Sequence, residues 1–195
     1  MMKIKLLTAC ALIFLTGCFK TPSTNTSRTS TNDRQTSPTA EKTDPKSKSD
    51  DFGKAVSDFN GKYYDQALAG FQKVLETEPD NADALFFIGQ IYYIRQDWNT
   101  SLGYFEKAAK IDFKSPEKLM ALAENQRGLK QYDRAIVQYQ KVQGFQPKNA
   151  AAYYGAGLTY VGLNNKIAAR QQLQILQPLD KSLADKLAKE IDGMK

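Results

Sequence analysis

Histidine is absent from this chain of 195 residues, and its two cysteines, Cys10 and Cys18, both lie near the N-terminus. The absence of histidine removes the commonest general base and the commonest metal ligand. The position of the cysteines leaves none for a disulfide or a thiolate zinc site in the remaining chain. The composition therefore favours binding over catalysis, and we expect neither a cofactor nor a metal site.

Positive charge is scarce in the part of the chain where a nucleic-acid-binding domain would need it. The formal net charge is +6, but Lys3 and Lys5 supply +2 of it and residues 19–50 supply another +2. Residues 51–195 therefore carry about +2. A basic nucleic-acid footprint needs more than this, and we expect no nucleic-acid partner.

Long hydrophobic runs are also scarce, and the clearest one lies at the start of the chain. A short basic segment, Met1 to Lys5, is followed by an apolar run from Leu6 to Leu15 that only Thr8 interrupts. A run of this length is too short to span the ~30 Å hydrocarbon core of a bilayer. Together the two segments are typical of a secretory signal peptide.

The run ends in Leu15-Thr16-Gly17-Cys18, which resembles the lipobox of bacterial lipoproteins. The resemblance implies removal of residues 1–17 and a diacylglyceryl thioether on Cys18, with stable membrane anchoring by several acyl chains. Phe19 follows the cysteine where aspartate would resemble an inner-membrane retention signal. In a bacterium with two membranes this favours the periplasmic face of the outer membrane. The alternative is an ordinary signal peptide, or a buried helix, with an accidental cysteine.

A polar segment separates this anchor from the rest of the chain. Residues 21–50 contain no aromatic residue and no aliphatic side chain larger than that of Ala40, and they are rich in Ser and Thr. Such a stretch cannot bury enough apolar surface to offset its ordering entropy. We therefore expect residues 18–50 to form a lipidated, disordered tether, with a mean span of ~30 Å for about 30 flexible residues.

From residue 48 onward the chain aligns with itself at a spacing of 34 residues without a gap. Small residues recur in two columns and large apolar residues in a third, as expected for stacked helix pairs. The pattern resembles the tetratricopeptide repeat (TPR) family in four units, 48–81, 82–115, 116–149 and 150–183. The columns are Ala55, Gly89, Ala123 and Gly157; Ala67, Ser101, Ala135 and Ala169; and Phe71, Phe105, Tyr139 and Leu173.

Each unit has two apolar patterns of helical period separated by a turn. These turns lie at Gly61, Gln96-Asp97, Lys130-Gln131 and Asn164-Asn165. After the fourth unit, residues 181–193 have apolar side chains on one side and charged ones on the other, which predicts a capping helix. We therefore predict an all-α fold for residues 51–195: a right-handed α-solenoid of about four helix-turn-helix repeats plus a C-terminal capping helix.

In the TPR family the first helix of each unit lines a concave groove that holds partner peptides. Columns of residues 4 and 3 positions apart share one face of that helix, and here the face is mostly aromatic and aliphatic. We expect Phe86→Ala with Tyr154→Ala to weaken partner capture at little cost in thermal stability. The alternative is that these rings are ordinary packing between helices. The predicted groove residues are Phe52, Phe59, Phe86, Gln90, Tyr93, Met120, Glu124, Arg127, Tyr154 and Leu158.

One short motif suggests chemistry. Ser115-Pro116-Glu117-Lys118 matches the S-x-x-K pattern of penicillin-interacting serine enzymes, in which the lysine activates the serine. The accompanying K-T-G and S-D-N motifs are missing from the sequence. Ser115 as a helix N-cap with Pro116 in the first helical position explains the same letters. A hydrolase built on Ser115 and Lys118 is therefore a minor alternative.

These features together predict a membrane-anchored, non-catalytic adaptor of the bacterial cell envelope that holds or assembles another envelope protein. Envelope assembly, secretion, pilus and peptidoglycan machinery are all compatible partners. A second hypothesis is a self-associating structural lipoprotein in which the aromatic rings are buried in a homo-oligomer.

Overall fold

The computed structural model describes the backbone of residues 45–194 and the side chains of residues 50–194. The regular structure in this part of the chain is entirely α-helical, and no helix in it is long and apolar enough to cross a membrane. The signal peptide, Cys18 and the tether up to residue 44 lie outside the described residues. The helices are α1 (Pro45–Asn60), α2 (Tyr64–Thr77), α3 (Ala82–Ile94), α4 (Trp98–Ile111), α5 (Pro116–Gly128), α6 (Tyr132–Phe145), α7 (Ala150–Gly162), α8 (Lys166–Leu176) and α9 (Lys181–Asp192).

The helices pack in chain order, as in a solenoid. Each forms its main contacts with the helix before it and the helix after it. In addition α3 contacts α5 and α5 contacts α7, so the first helices of successive pairs form an inner layer. Helix α9 packs against both α7 and α8. The predicted all-α helical-repeat fold is therefore confirmed.

Helix α1 begins earlier than the sequence suggested. It starts at Pro45, so residues 45–50 are helical although their composition placed them in the disordered tether. The prediction rested on the lack of large apolar side chains, which measures core formation and not backbone conformation. Proline is well tolerated in the first turn of a helix because its missing N–H has no helical partner there.

The four turns within the helix pairs share one conformation at the 34-residue spacing. In each, one residue has a positive φ of 56° to 64°: Lys62, Gln96, Lys130 or Asn164. In the second turn the Gln96 N–H donates to the Tyr93 carbonyl and the Asp97 N–H donates to the Tyr92 carbonyl, both at 3.0 Å. This is a Schellman motif, which satisfies the last carbonyls of the preceding helix.

The turns between pairs also repeat, because each supplies an N-cap to the following helix. The side-chain oxygens of Asn81, Ser115 and Asn149 accept hydrogen bonds from the backbone N–H three residues later, at 2.9, 3.3 and 3.1 Å. Asp180 caps α9 in the same way at 2.9 Å. Each cap satisfies an N–H that the helix itself leaves unpaired.

The core follows the predicted columns. The rings of Phe71, Phe105 and Tyr139 are buried, and so are the small residues that face them. A Cβ built on Gly89 would lie only 2.7 Å from the Phe105 ring, so α3 and α4 approach too closely for a side chain there. The small columns are therefore confirmed as sites of close helix contact. On α9 the predicted apolar side is buried through Ala184, Leu187 and Ile191.

Candidate functional site: the inner groove

The predicted groove residues on the inner layer differ in how much of each side chain is exposed. Glu124 is exposed and Phe86 is buried, whereas the other eight are half-buried. Half-buried side chains on the inner side of a solenoid are the ones that a bound segment can contact. These eight are Phe52, Phe59, Gln90, Tyr93, Met120, Arg127, Tyr154 and Leu158.

Phe86 is a core residue and not an open groove residue. Only 3% of it is exposed, and its ring lies 5.8 Å from those of Phe87 and Phe105. The Lys118 ammonium lies 5.8 Å above the same ring. This burial argues against the expectation that Phe86→Ala with Tyr154→Ala costs little thermal stability, because α4 and α5 enclose the Phe86 side chain.

The rings of the first unit take part in packing as well as lining the groove. Phe52 and Phe59 make edge-on contacts with Phe87, with centroid distances of 6.1 and 5.1 Å. Phe87 in turn stacks on buried Phe71 at 5.0 Å. At this end of the groove both interpretations of the aromatic stripe apply, because each ring has one side in the core and one side facing water.

The centre of the groove is polar and carries opposite charges. Glu124 and Arg127 project from α5, with Tyr93 of α3 and Tyr139 of α6 beside them. Burial raises the pKa of the Glu124 carboxyl, and the Arg127 charge opposes that shift. Burial, reinforced by the Glu124 charge, also raises the pKa of Tyr93. The carboxyl is reached by water yet crowded by protein, as expected on the floor of a groove.

Two polar atoms beneath this centre, Arg127 Nε and Tyr139 Oη, are buried and make no well-formed hydrogen bond within the described residues. The two side chains lie beside each other, with the Arg127 guanidinium within hydrogen-bonding reach of the Tyr139 hydroxyl. Burial, with the Glu124 charge, raises the pKa of Tyr139 to about 12, although Arg127 opposes the shift. The hydroxyl therefore stays protonated at neutral pH. Both atoms are closed off from water, so a segment bound in the groove would contact the exposed Glu124 and the half-buried side chains of Tyr93 and Arg127.

The neighbouring polar groups of α5 are used for packing between pairs. The Asn125 side-chain amide donates to the Ser101 hydroxyl at 2.7 Å, and that hydroxyl donates to the Gly89 carbonyl at 2.9 Å. This chain links α5 to α4 and α3 through buried atoms. It fixes α5, and with it Glu124 and Arg127, relative to the second pair.

The far end of the groove is apolar. Tyr154 and Leu158 pack against the cluster formed by α7, α8 and α9, and the outer surface of each stays open.

One exposed residue on the groove side of α3 was not predicted from the sequence. Ile94 follows Tyr93 at the end of α3 and is 46% exposed. A column one residue after that of Phe59, Tyr93 and Arg127, read at the same 34-residue spacing, would have identified it.

Ser115 and Lys118 do not form a catalytic pair. The Ser115 hydroxyl caps α5 by accepting from the Lys118 backbone N–H at 3.3 Å. The Lys118 ammonium instead lies 2.7 Å from Asp83 and 3.1 Å from Asp112. Burial lowers the pKa of Lys118, but the hydrogen bonds and charges of the two carboxylates outweigh it and the pKa is raised. A protonated, ion-paired lysine cannot accept a proton from serine.

Comparisons with known proteins agree with the repeat architecture. A tetratricopeptide repeat family model matches residues 59–116. Over 130 residues the chain is 25% identical to anaphase-promoting complex subunit 3 of Schizosaccharomyces pombe, an alignment that covers 67% of this chain. The chain spans only 20% of that protein's length.

Solved structures show the same fold at low sequence identity. The crystal structure of MamA superposes with a TM-score of 0.65 at 19% identity, covering 74% of this chain and 88% of MamA. YrrB, a TPR protein with an unusual peptide-binding site, superposes with a TM-score of 0.67 at 22% identity, covering 73% of this chain and 74% of YrrB. The described part of the chain therefore has the TPR solenoid fold.

Proposed function

We propose that this protein is a non-catalytic adaptor that holds a segment of another protein in its inner groove. The observation that carries the proposal is a groove in which half-buried apolar side chains flank a polar centre formed by Glu124 and Arg127. Backbone carbonyls of an extended or helical segment can accept hydrogen bonds from the Arg127 guanidinium. Peptide binding by YrrB, which shares the fold, supports this choice of ligand.

The groove favours a segment with apolar side chains around a polar centre. Tyr154 and Leu158 offer apolar surface on one side of Arg127, and Tyr93 and Ile94 offer it on the other. Because Glu124 accompanies Arg127, the centre carries no net charge, so it does not select an acidic peptide terminus. Affinity would come from the apolar contacts, and orientation from the hydrogen bonds.

A binding experiment with groove variants tests this function. Peptides selected from a random library on the purified repeat domain should lose about tenfold in affinity, ~1.4 kcal/mol, in Leu158→Ala and in Arg127→Gln. Val137→Ala, on the outer side of α6, serves as the matched control and should bind as well as the wild type. Equal affinity of all three variants, each checked for folding by circular dichroism, would show that the groove is not the site.

The proposal extends to the anchor, on the strength of the lipobox alone. A diacylglyceryl group on Cys18 would place the repeat domain at a bacterial envelope membrane, with residues 19–44 between them. The held protein would then be another envelope protein, localised or assembled beside the membrane. In a cell with two membranes, Phe19 in place of an aspartate after the cysteine favours the periplasmic face of the outer membrane.

The two cysteines provide a matched test of the anchor. Cys18→Ala should move the protein from the membrane pellet to the soluble fraction of the expressing bacterium, whereas Cys10→Ala should leave it in the pellet. The reason is that only the lipobox cysteine would carry acyl chains. Membrane fractionation that persists in Cys18→Ala contradicts the anchor without affecting the groove.

A further inference from the structure

Charge is separated along the solenoid. Residues 50–97 hold nine carboxylates and four cations, for a net charge of −5. Residues 128–179 hold six cations and one carboxylate, Asp133, for a net charge of +5. Because the helices pack in chain order, these two segments lie in different halves of the solenoid. The six cations are Lys130, Arg134, Lys141, Lys148, Lys166 and Arg170.

The cations of the second half frame a surface formed by α6 and α8, which we name the basic outer face. The two helices lie side by side, since the Gln143 amide donates to the Gln172 side-chain oxygen at 3.0 Å. Arg134 lies 3.8 Å from Glu106, and within the described residues the other five cations have no carboxylate within 4 Å. Most of this positive charge is therefore available to a partner.

Apolar side chains occupy the same face. Val137 and Phe145 on α6 are exposed, as are Ile175 and Ile167 on α8, the last to 76%. On α6 the spacing from Arg134 to Val137, Lys141 and Phe145 keeps all four on one side of the helix. Exposed apolar side chains beside charged ones are common in protein interfaces, whereas a surface that contacts only water has no need of them.

Complementary charge lies at the other half of the same molecule, at the end of α2, which we name the acidic end. Glu76, Glu78 and Asp80 are exposed, and none of them has a cation within 4 Å in the described part of the chain. Other carboxylates of this half are already paired, such as Asp65 with Arg95 and Asp83 with Lys118. Glu78 accepts a hydrogen bond from the Asn81 side-chain amide at 2.9 Å, but within the described residues no carboxylate of the acidic end is neutralised by an ion pair.

We propose that the basic outer face of one copy of this chain binds the acidic end of a second copy, head to tail. The contact joins different surfaces, so each dimer keeps one free basic face and one free acidic end, and short arrays can grow. The inner groove is lined by the first helix of each pair, so it stays open in such an array. Self-association and peptide binding therefore involve different surfaces.

The salt dependence of association tests the proposal. For residues 19–195, which include every described helix and their shared core, sedimentation equilibrium should show a mass that rises with protein concentration at about 20 mM salt, where screening is weak. At about 500 mM salt the association constant should fall on the order of tenfold or more. A strict monomer at low salt and about 100 µM protein overturns the proposal.

Charge reversal locates the contact. Lys141→Glu with Arg170→Glu, and separately Glu76→Lys with Glu78→Lys, should each weaken association at low salt on the order of tenfold or more. The fourfold variant that combines both pairs has the wild-type net charge, and it should associate again because the two surfaces have exchanged sign. Lys186→Glu with Lys189→Glu, on the exposed side of α9, is the control and should associate like the wild type.

Two results of these experiments would overturn the inference. One is a folded fourfold variant that stays monomeric, which would mean that the two surfaces do not meet. The other is a wild-type protein that stays monomeric but binds phosphatidylglycerol vesicles through Lys141 and Arg170, which would make an anionic membrane the occupant of the basic outer face.

Discussion

Phe86 and Tyr154 occupy the same column of the repeat, yet one is buried and the other half-buried. The difference comes from their neighbours. Helices α4 and α5 close over Phe86, and the Lys118 ammonium covers its ring while bound to Asp83 and Asp112. Repeat spacing assigns a residue to a helical face, but the side chains of the adjacent helices decide how far that face stays open.

Replacing Phe86 by alanine should therefore cost stability. We expect the free energy of unfolding to fall by about 3–5 kcal/mol, the range for truncating a buried phenylalanine. Leu158→Ala, at a half-buried position, should cost clearly less. Urea unfolding of both variants measures the difference. Losses of equal size, or a loss below ~1 kcal/mol for Phe86→Ala, would contradict the burial described for this ring.

The pKa of Tyr139 predicts how stability depends on alkaline pH. Tyr139 is 0% exposed and its pKa is about 12, against an ordinary value of 10.0. Above pH 10 the unfolded chain loses the phenolic proton while the folded chain keeps it, so stability falls as the pH rises from about 10 to about 12. Two units correspond to a loss of up to about 3 kcal/mol.

The variant Tyr139→Phe isolates this contribution. It lacks the titrating hydroxyl and keeps the buried ring. Its free energy of unfolding, measured in urea from pH 9 to pH 11.5, should therefore fall less steeply than that of the wild type. Parallel curves for the two proteins would show that Tyr139 does not titrate differently in the folded and unfolded states.

At the scale of the elements, the within-pair turns carry avoidable strain. All four need a residue with positive φ, and none of them uses glycine. A non-glycine residue in this conformation is less favourable than glycine by roughly 1–2 kcal/mol. Glycine loses more conformational entropy on folding, which offsets part of that difference. Asparagine adopts it more readily than glutamine or lysine, so Asn164 is the least strained of the four.

Gln96→Gly and Lys130→Gly should therefore each stabilise the protein, by up to about 1 kcal/mol. Asn164→Gly should have a smaller effect, and Gln96→Val should destabilise because a β-branched residue fits this conformation poorly. Thermal unfolding of the four variants measures the order. If Gln96→Gly is less stable than Gln96→Val, the left-handed turn is absent.

The helices and turns were predictable from the sequence because the repeat shows each of them several times. Asn81, Ser115 and Asn149 recur at one position, and the structure uses all three as N-caps. The start of α1 was not predictable in this way, since Pro45 lies before the first residue of the repeat alignment. The pairing of Lys118 with two carboxylates from other elements was missed because it occurs in one unit alone.

The sequence was enough to predict which helical face lines the candidate site, but not which side chains contact each other there. Columns of residues identified the groove side of α3, α5 and α7, but Arg127 and Tyr139 lie on different helices, and only packing shows that their side chains lie beside each other. Ile94 was within reach of the same column reading. The charge separation between the two halves was visible in the sequence, but it gained meaning only when the helices were seen to stack in order.

At the scale of the whole molecule, stability depends on the C-terminal end of the solenoid being covered. Each pair buries its apolar face against its neighbours, so the last pair needs a substitute for a fifth pair. Helix α9 supplies it: Leu187 and Ile191 are buried with Tyr153 and Leu176 in one cluster. A Cβ on Gly157 would meet Leu187, so α7 is shaped to receive α9 closely.

Ending the chain after Leu179 should therefore loosen the last pair selectively. With α9 gone, the cluster around Tyr153 and Leu176 faces water, and α7 and α8 lose the partner that both of them contact. Hydrogen exchange should speed up in α7 and α8 by an order of magnitude or more, while α3 and α4 keep their protection, because energy in a repeat protein is largely local to neighbouring units. Leu187→Ala should produce the same pattern more weakly. Exchange that speeds up equally in every helix would instead mean that the solenoid unfolds as one cooperative unit, and that α9 stabilises it as a whole.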